Sequence, residues 1–151
     1  MPDLKLIALD AEDLAVISAH LQDAVLNVGD IAYVPKERRF VAITNRFDWM
    51  SALSNAEGQP GPLNRRRAAI RIERVQGAQV QGLDLLDKAR VLSLLAVSFQ
   101  PAEAPEGHIT LHFSDGAAIR LHVECIEAGL TDLGAAWEAG SKPQHPETQD
   151  T

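Results

Sequence analysis

Apolar and polar residues alternate most regularly between Gly107 and Glu127, GHITLHFSDGAAIRLHVECIE. Ile109, Leu111 and Phe113 interleave with His108, Thr110 and His112; Ile119, Leu121, Val123 and Cys125 interleave with Arg120, His122 and Glu124. A period of two predicts two strands, each with one buried and one solvated face. Ser114-Asp115-Gly116 supplies the turn chemistry between them. A two-residue loop would set Leu111 opposite Arg120 and expose the apolar set, so parity requires an odd loop, Ser114 to Gly116 or Ser114 to Ala118. The shorter one pairs Leu111 with Ile119 and Ile109 with Leu121, and gives Gly116 a left-handed bulge position.

The rest of the chain is arranged around this hairpin. Leu4 to Leu9 reads as a short strand. Asp10 then reads as a helix N-cap, with Asp13 three residues on. Leu14, Ile17, Leu21 and Ala24 form one helical stripe, ending near Val25 or Leu26. Asp30 to Val34 and Phe40 to Phe47 flank the turn chemistry of Pro35 to Arg39 and predict a second hairpin. Arg46 and Asp48 are placed to pair, and Phe47 and Trp49 to cover one end of the core. Ser51 to Asn64, SALSNAEGQPGPLN, is the longest loop. A strand follows from Arg65 to Val75, another between Gly77 and Gly82, and a turn from Asp84 to Lys88. Val91 to Phe99 lacks polar alternation, which suits a central strand covered on both faces. Ile126, Leu130, Leu133 and Trp137 recur at helical spacing and predict a short closing helix, weakened by Gly129 and Gly134.

These elements predict an α+β fold of antiparallel sheets with an N-terminal helix and a short C-terminal helix. It is either a pleckstrin-homology-like barrel or sandwich, or a curved sheet with helices on one face. Residues 1–140 read as one globular domain. Residues 141–151 carry no apolar side chain and read as a disordered tail.

Charge changes the picture more than composition does. The net charge is −7, yet residues 36–90 hold 11 of the 14 Lys and Arg and 6 of the 21 Asp and Glu. The middle of the chain is therefore positive and the rest strongly negative, which marks either internal attraction or a patch for an anionic partner. Overall acidity and only seven aromatic residues argue against nucleic acid as that partner. The single cysteine, Cys125, excludes an internal disulfide and falls on the apolar parity of the hairpin, as an inert core thiol. No apolar run is long enough for a membrane helix and no secretory signal is visible, so the expected location is cytoplasmic.

Two constellations carry candidate chemistry. Arg65, Arg67 and Arg71 share one parity, directly after the long loop, and make a row suited to a carboxylate or phosphate. His108 lies opposite His122 in the three-residue-loop register, with Cβ atoms ~5 Å apart, near enough for one metal ion. His112 stands ~13 Å along the strand and does not join them. The two histidines with Glu124 outline a site, although the register does not force Glu124 towards the pair. No nucleophile elbow, metalloprotease motif or phosphate loop is present, so no catalytic residue is assigned and no cofactor is expected.

The segments LKLIALDAEDLAVISAHLQDAV, FVAITNRFDW and GHITLHFSDGAAIRLHVECIEAGLTDLGAAW resemble a bacterial family known as domain of unknown function 2948. The likeness spans nearly everything before the tail. It implies a stand-alone cytoplasmic bacterial domain and brings no activity or site residues. The reading that follows is a non-enzymatic binding or adaptor domain for a protein or a small anionic ligand. The alternative is a small metal-binding protein or enzyme using the histidine face.

Overall fold

A computed structural model describes residues 4–48, 64–134 and 137–138. Strand β1 (Lys5–Ala8) leads into helix α1 (Ala11–Leu21), whose N-cap is Asp10: its carboxylate accepts the Asp13 N–H at 2.8 Å. Leu14, Ile17 and Leu21 are buried, as the stripe predicts. The helix then stops earlier than expected. Asp23 adopts a left-handed conformation (φ 66°) and donates its N–H to the Leu94 carbonyl at 2.8 Å. Ala24, expected on the helical stripe, instead opens strand β2 (Ala24–Asn27) and is buried there with Leu26. Ala24 and Leu26 are compatible with either period, and only the neighbouring strands decide between them.

The second hairpin forms as expected. Strands β3 (Ile31–Val34) and β4 (Arg39–Phe47) pair with Ala32 opposite Val41, around Pro35–Glu37 and a left-handed Arg38. β5 (Asn64–Ile72) ends earlier than predicted because Arg74 (φ 62°) turns the chain into β6 (Val75–Gln81). Gly77 does not bracket β6; it lies inside it, at a register shift against the neighbouring strand. β7 (Val91–Pro101) is bulged at Leu95, between the Leu94–Phe113 and Ala96–His112 pairs. The bulge reverses parity: Leu92, Leu94 and Val97 point inward and Leu95 outward, so this strand is central in the sheet but not covered on both faces.

β8 (Gly107–Phe113) and β9 (Ala118–Val123) make the organising hairpin in the three-residue-loop register. Ile109 faces Leu121, Leu111 faces Ile119 and His108 faces His122. Asp115 and Gly116 are both left-handed, at φ 62° and 76°. Cys125 falls beyond the end of β9 and is half-buried rather than a core thiol.

The closing helix does not form. Residues 128–132 are strand β10 (Ala128–Asp132), inserted between β1 and β5, and Trp137–Glu138 is a short β11 paired to β5. Two edges offered full hydrogen-bond ladders, and a helix holding Gly129 had little intrinsic stability to set against them. Gly129 also suits the strand: a Cβ there would lie 3.1 Å from an Arg71 guanidinium nitrogen, so the arginine lies flat across β10.

The strands form one antiparallel sheet ordered β1-β10-β5-β4-β2-β7-β8-β9-β6, with β3 beside β4 and β11 beside β5. Among the described residues β1 and β6 end the path and do not pair with one another, so the sheet is open. Among the described residues neither barrel closure nor a C-terminal helix is present to make it pleckstrin-homology-like. Helix α1 packs on the inner face, against β7, β1 and β4. The core lies there, with Ile17, Leu21, Ile70, Leu94, Leu111 and Leu121 fully buried. The long loop before β5, Trp49 and the tail lie outside the described residues, as does the Trp137 side chain. No helix of the described residues is long and apolar enough to cross a membrane.

Candidate functional site

The outer face of β1, β10, β5 and β4 is built by simple alternation. Along β5, Arg66, Ala68, Ile70 and Ile72 are buried, while Arg65, Arg67, Ala69 and Arg71 point outward. The register then fixes their neighbours. Arg65 is opposite Phe47, Arg67 opposite Asn45 and Arg71 opposite Val41. On the other side Arg71 is opposite Gly129, which is opposite Ile7. The face is thus cationic with an apolar ground: Ile7 is 63% exposed, and Val41, Ile43 and Phe47 are half-buried.

The three arginines are held differently. Arg65 lies over the Phe47 ring at 3.9 Å and donates to the Asn45 carbonyl at 3.0 Å. Partial burial lowers its pKa, though a guanidinium stays charged at neutral pH. Arg71 pairs with Glu73 at 2.8 Å. Glu73 is shared, because it also takes Arg39 at 3.0 Å. Arg67 is exposed and has no carboxylate partner among the described residues. Sequence alternation placed all three on one side; it said nothing of which would be occupied.

Beneath this face lies a group that the sequence showed only in fragments. Arg46 and Asp48 do not pair with each other. Arg46 makes a two-pronged bond to Asp132, at 3.0 and 2.9 Å, and Asp48 takes Arg66 at 2.9 Å. Arg66 Nε stands 4.0 Å from Asp132, so the two pairs join into one buried network. Asp132 also accepts the Leu4 N–H at 2.8 Å, tying the start of β1 to the end of β10. These charges reach α1: burial, and then the nearby Arg46 cation, lower the pKa of His20. The partner missing from the sequence reading was Asp132, which had been placed on a helix.

The hairpin's polar face is the second place. His108 and His122 stack with ring centroids 5.1 Å apart and planes at 29°. Their nitrogens are directed to different partners: His122 Nε2 is 3.0 Å from Glu106, and His108 Nδ1 is 3.3 Å from Arg120. Burial and the neighbouring Arg120 lower the His108 pKa. Glu124 is turned away, bonded to Arg38 and Gln76. Among the described residues no group of three or more His, Cys, Asp or Glu is placed to hold a metal ion. One row along, Ser98 Oγ is 2.8 Å from His112 Nε2, and Gln100 donates to Ser98 at 2.9 Å and accepts from Thr110 at 3.1 Å. This chain was invisible in the sequence because the bulge at Leu95 sets the pairing of β7 with β8. An open cleft of about 880 Å³ runs along this face past Thr110, His112 and Arg120.

Among the described residues, fold and surface together define an open antiparallel sheet with one packed helix, carrying a basic, partly apolar face on one half and a histidine-lined face on the other. Residues 4–145 match a family described as "Protein of unknown function (DUF2948)", and the chain belongs to that family. Neither the curated proteins nor the solved structures gave a significant match.

Proposed function

We propose that this protein is a non-enzymatic binding domain that docks an acidic, partly apolar protein segment on the outer face of β1, β10, β5 and β4, through Arg67 with Arg65 and Arg71. The observation that carries the reading is the unequal commitment of the row. Glu73 pairs with Arg71, while Arg67, beside the stacked Arg65, has no carboxylate partner among the described residues. Alternate residues on a strand are ~7 Å apart, so Arg65 and Arg67 repel by ~0.6 kcal/mol even at the dielectric of water. An incoming carboxylate relieves that repulsion and gains a two-pronged contact. Val41 and Ile43 on β4 and Ile7 on β1 flank the cations of β5, which favours an extended protein segment over a small anion.

The test replaces Arg65, Arg67 and Arg71 together with Gln and measures two quantities. Stability should stay within ~1 kcal/mol, because lost surface pairing and relieved repulsion are of similar size. Binding of a ten-residue glutamate peptide should weaken by roughly 30-fold at low salt, from three contacts of ~0.7 kcal/mol each. A large loss of stability with unchanged peptide affinity would make the row structural.

The alternative, a metal or catalytic site on the histidine face, rests on the 5.1 Å approach of His108 and His122. It is tested by metal analysis of purified protein before and after replacing both with Gln: stoichiometric metal lost on substitution would favour it.

A further inference from the structure

The sheet leaves a slot between β3 and β6. β3 pairs only with β4, and β6 only with β9, so beyond the Val75 N–H bond to the Arg38 carbonyl at 2.9 Å each presents an unpaired edge among the described residues. The interior opens sideways there into a cavity of about 330 Å³, at the small end of the ~300–1,000 Å³ usual for ligand sites. Its floor is core: Phe40 and Ile119 are 1% and 2% exposed. Its walls are the inward-facing residues of the two edges, Ile31 and Tyr33 on one side, Ala78 and Val80 on the other.

A loop closes one side, and it is fixed rather than draped. Val28 N–H donates to the Arg90 carbonyl and Gly29 N–H to the Lys88 carbonyl, each at 2.9 Å. Arg90 donates to the Gly82 carbonyl at 3.1 Å, and Asp84 accepts the Leu86 N–H at 2.9 Å. Glycine suits the clamp, because a Cβ on Gly29 would press within 3.1 Å of Lys88 Cβ. This geometry sets Leu85 and Lys88 at the cavity. Leu85 is 48% exposed there. Lys88 is the one charged residue of the lining, and it has no ion pair among the described residues. The loop's carboxylates are Asp84, held in its turn, and Asp87, neither of them a lining residue.

We propose that this slot binds a compact amphipathic carboxylate, a short acyl chain or single-ring acid, with its apolar body on Phe40, Ile119 and Val80 and its carboxylate on Lys88. An apolar chamber with one lysine among its lining residues selects for one negative charge at one end of an apolar body, reached by the exposed Lys88 side chain at the rim. Apolar contact supplies most of the affinity, and the lysine sets orientation and the preference for the anion. The site lies on residues separate from the arginine row, so it stands or falls independently of the docking face.

The experiment titrates isotope-labelled full-length protein with octanoate, kept below its aggregation threshold, and in parallel with neutral octanamide. Backbone amide shifts are followed by NMR. Saturable octanoate-induced shifts are expected at 28–33, 78–80 and 83–90. Lys88→Gln, a surface change with little risk to folding, should weaken octanoate about five-fold and leave octanamide unchanged. Ala78→Phe, shown folded by circular dichroism, should abolish both. Absence of shifts at the slot overturns the site. Equal binding of the amide, or an affinity indifferent to Lys88→Gln, overturns the anion preference. Shifts running along the whole of Val75–Gln81 only when an extended peptide is added would instead mark the edge as a strand acceptor.

Discussion

Replacing Asp132 with Asn tests the buried network most sharply. The Asp132 side chain is fully buried, binds Arg46 through both oxygens, lies 4.0 Å from Arg66 and accepts the Leu4 N–H. With it, Arg46 and Arg66 face Asp132 and Asp48 among the described residues. Without its charge, Arg46 (3% exposed) keeps a full positive charge with no carboxylate partner among the described residues, next to Arg66. Stranding one member of a buried pair costs ~3–5 kcal/mol. For a domain of this size that lowers the melting temperature by roughly 10 °C, at ~2–4 °C per kcal/mol. Urea unfolding followed by circular dichroism gives the number. A companion variant separates charge from packing: Arg46→Met with Asp132→Leu removes both charges and leaves the Arg66–Asp48 pair intact. It should recover most of the loss, falling short by ~1–2 kcal/mol for the Leu4 N–H left without its acceptor. A loss below about 1 kcal/mol in Asp132→Asn, or a double variant no better than the single, would refute the network as described.

Three further outcomes follow from local geometry. Gly107→Ala should destabilise by ~1–3 kcal/mol in chemical unfolding, because a Cβ there would sit 2.4 Å from the Phe99 ring. Gly116→Ala meets nothing within 4 Å, so its loss, ~1 kcal/mol by the same assay, should be the conformational cost of φ 76° alone. His20 has a pKa below its unfolded value of 6.5, so the unfolded chain binds the extra proton first. Its contribution is full above 6.5 and declines as pH falls from there to the lower folded value. His20→Gln should therefore flatten the acid side of the stability–pH curve in that window.

The organising hairpin was legible down to its register, because one buried face and a rigid turn leave a single parity. The β3–β4 hairpin and the N-cap at Asp10 were legible for the same local reason. Errors came where local pattern is degenerate. Ala24 to Asn27 and Ala128 to Asp132 fit a helix as well as a strand, and their fate is set by β7, β1 and β5, far away in sequence. The bulge at Leu95 carries no glycine to announce it, yet it fixes which β7 side chains meet His112. Losing Asp132 to a supposed helix also hid the partner of Arg46. Alternation found the outward side of Arg65, Arg67 and Arg71 and the facing of His108 and His122. It could not find that Glu73 holds Arg71 and Glu106 holds His122, since alternation gives the side a residue faces and not its ion-pair partner.

The docking claim is tested most directly by mapping where an acidic peptide lands. Adding the ten-residue glutamate peptide to isotope-labelled protein should shift the amides of Arg65 to Arg71 and their neighbours in β4 and β10, and the shifts should fade as salt is raised. Shifts confined to β7, β8 and β9, around Arg120 and the histidines, or no salt-dependent shift at the β5 face, would contradict it.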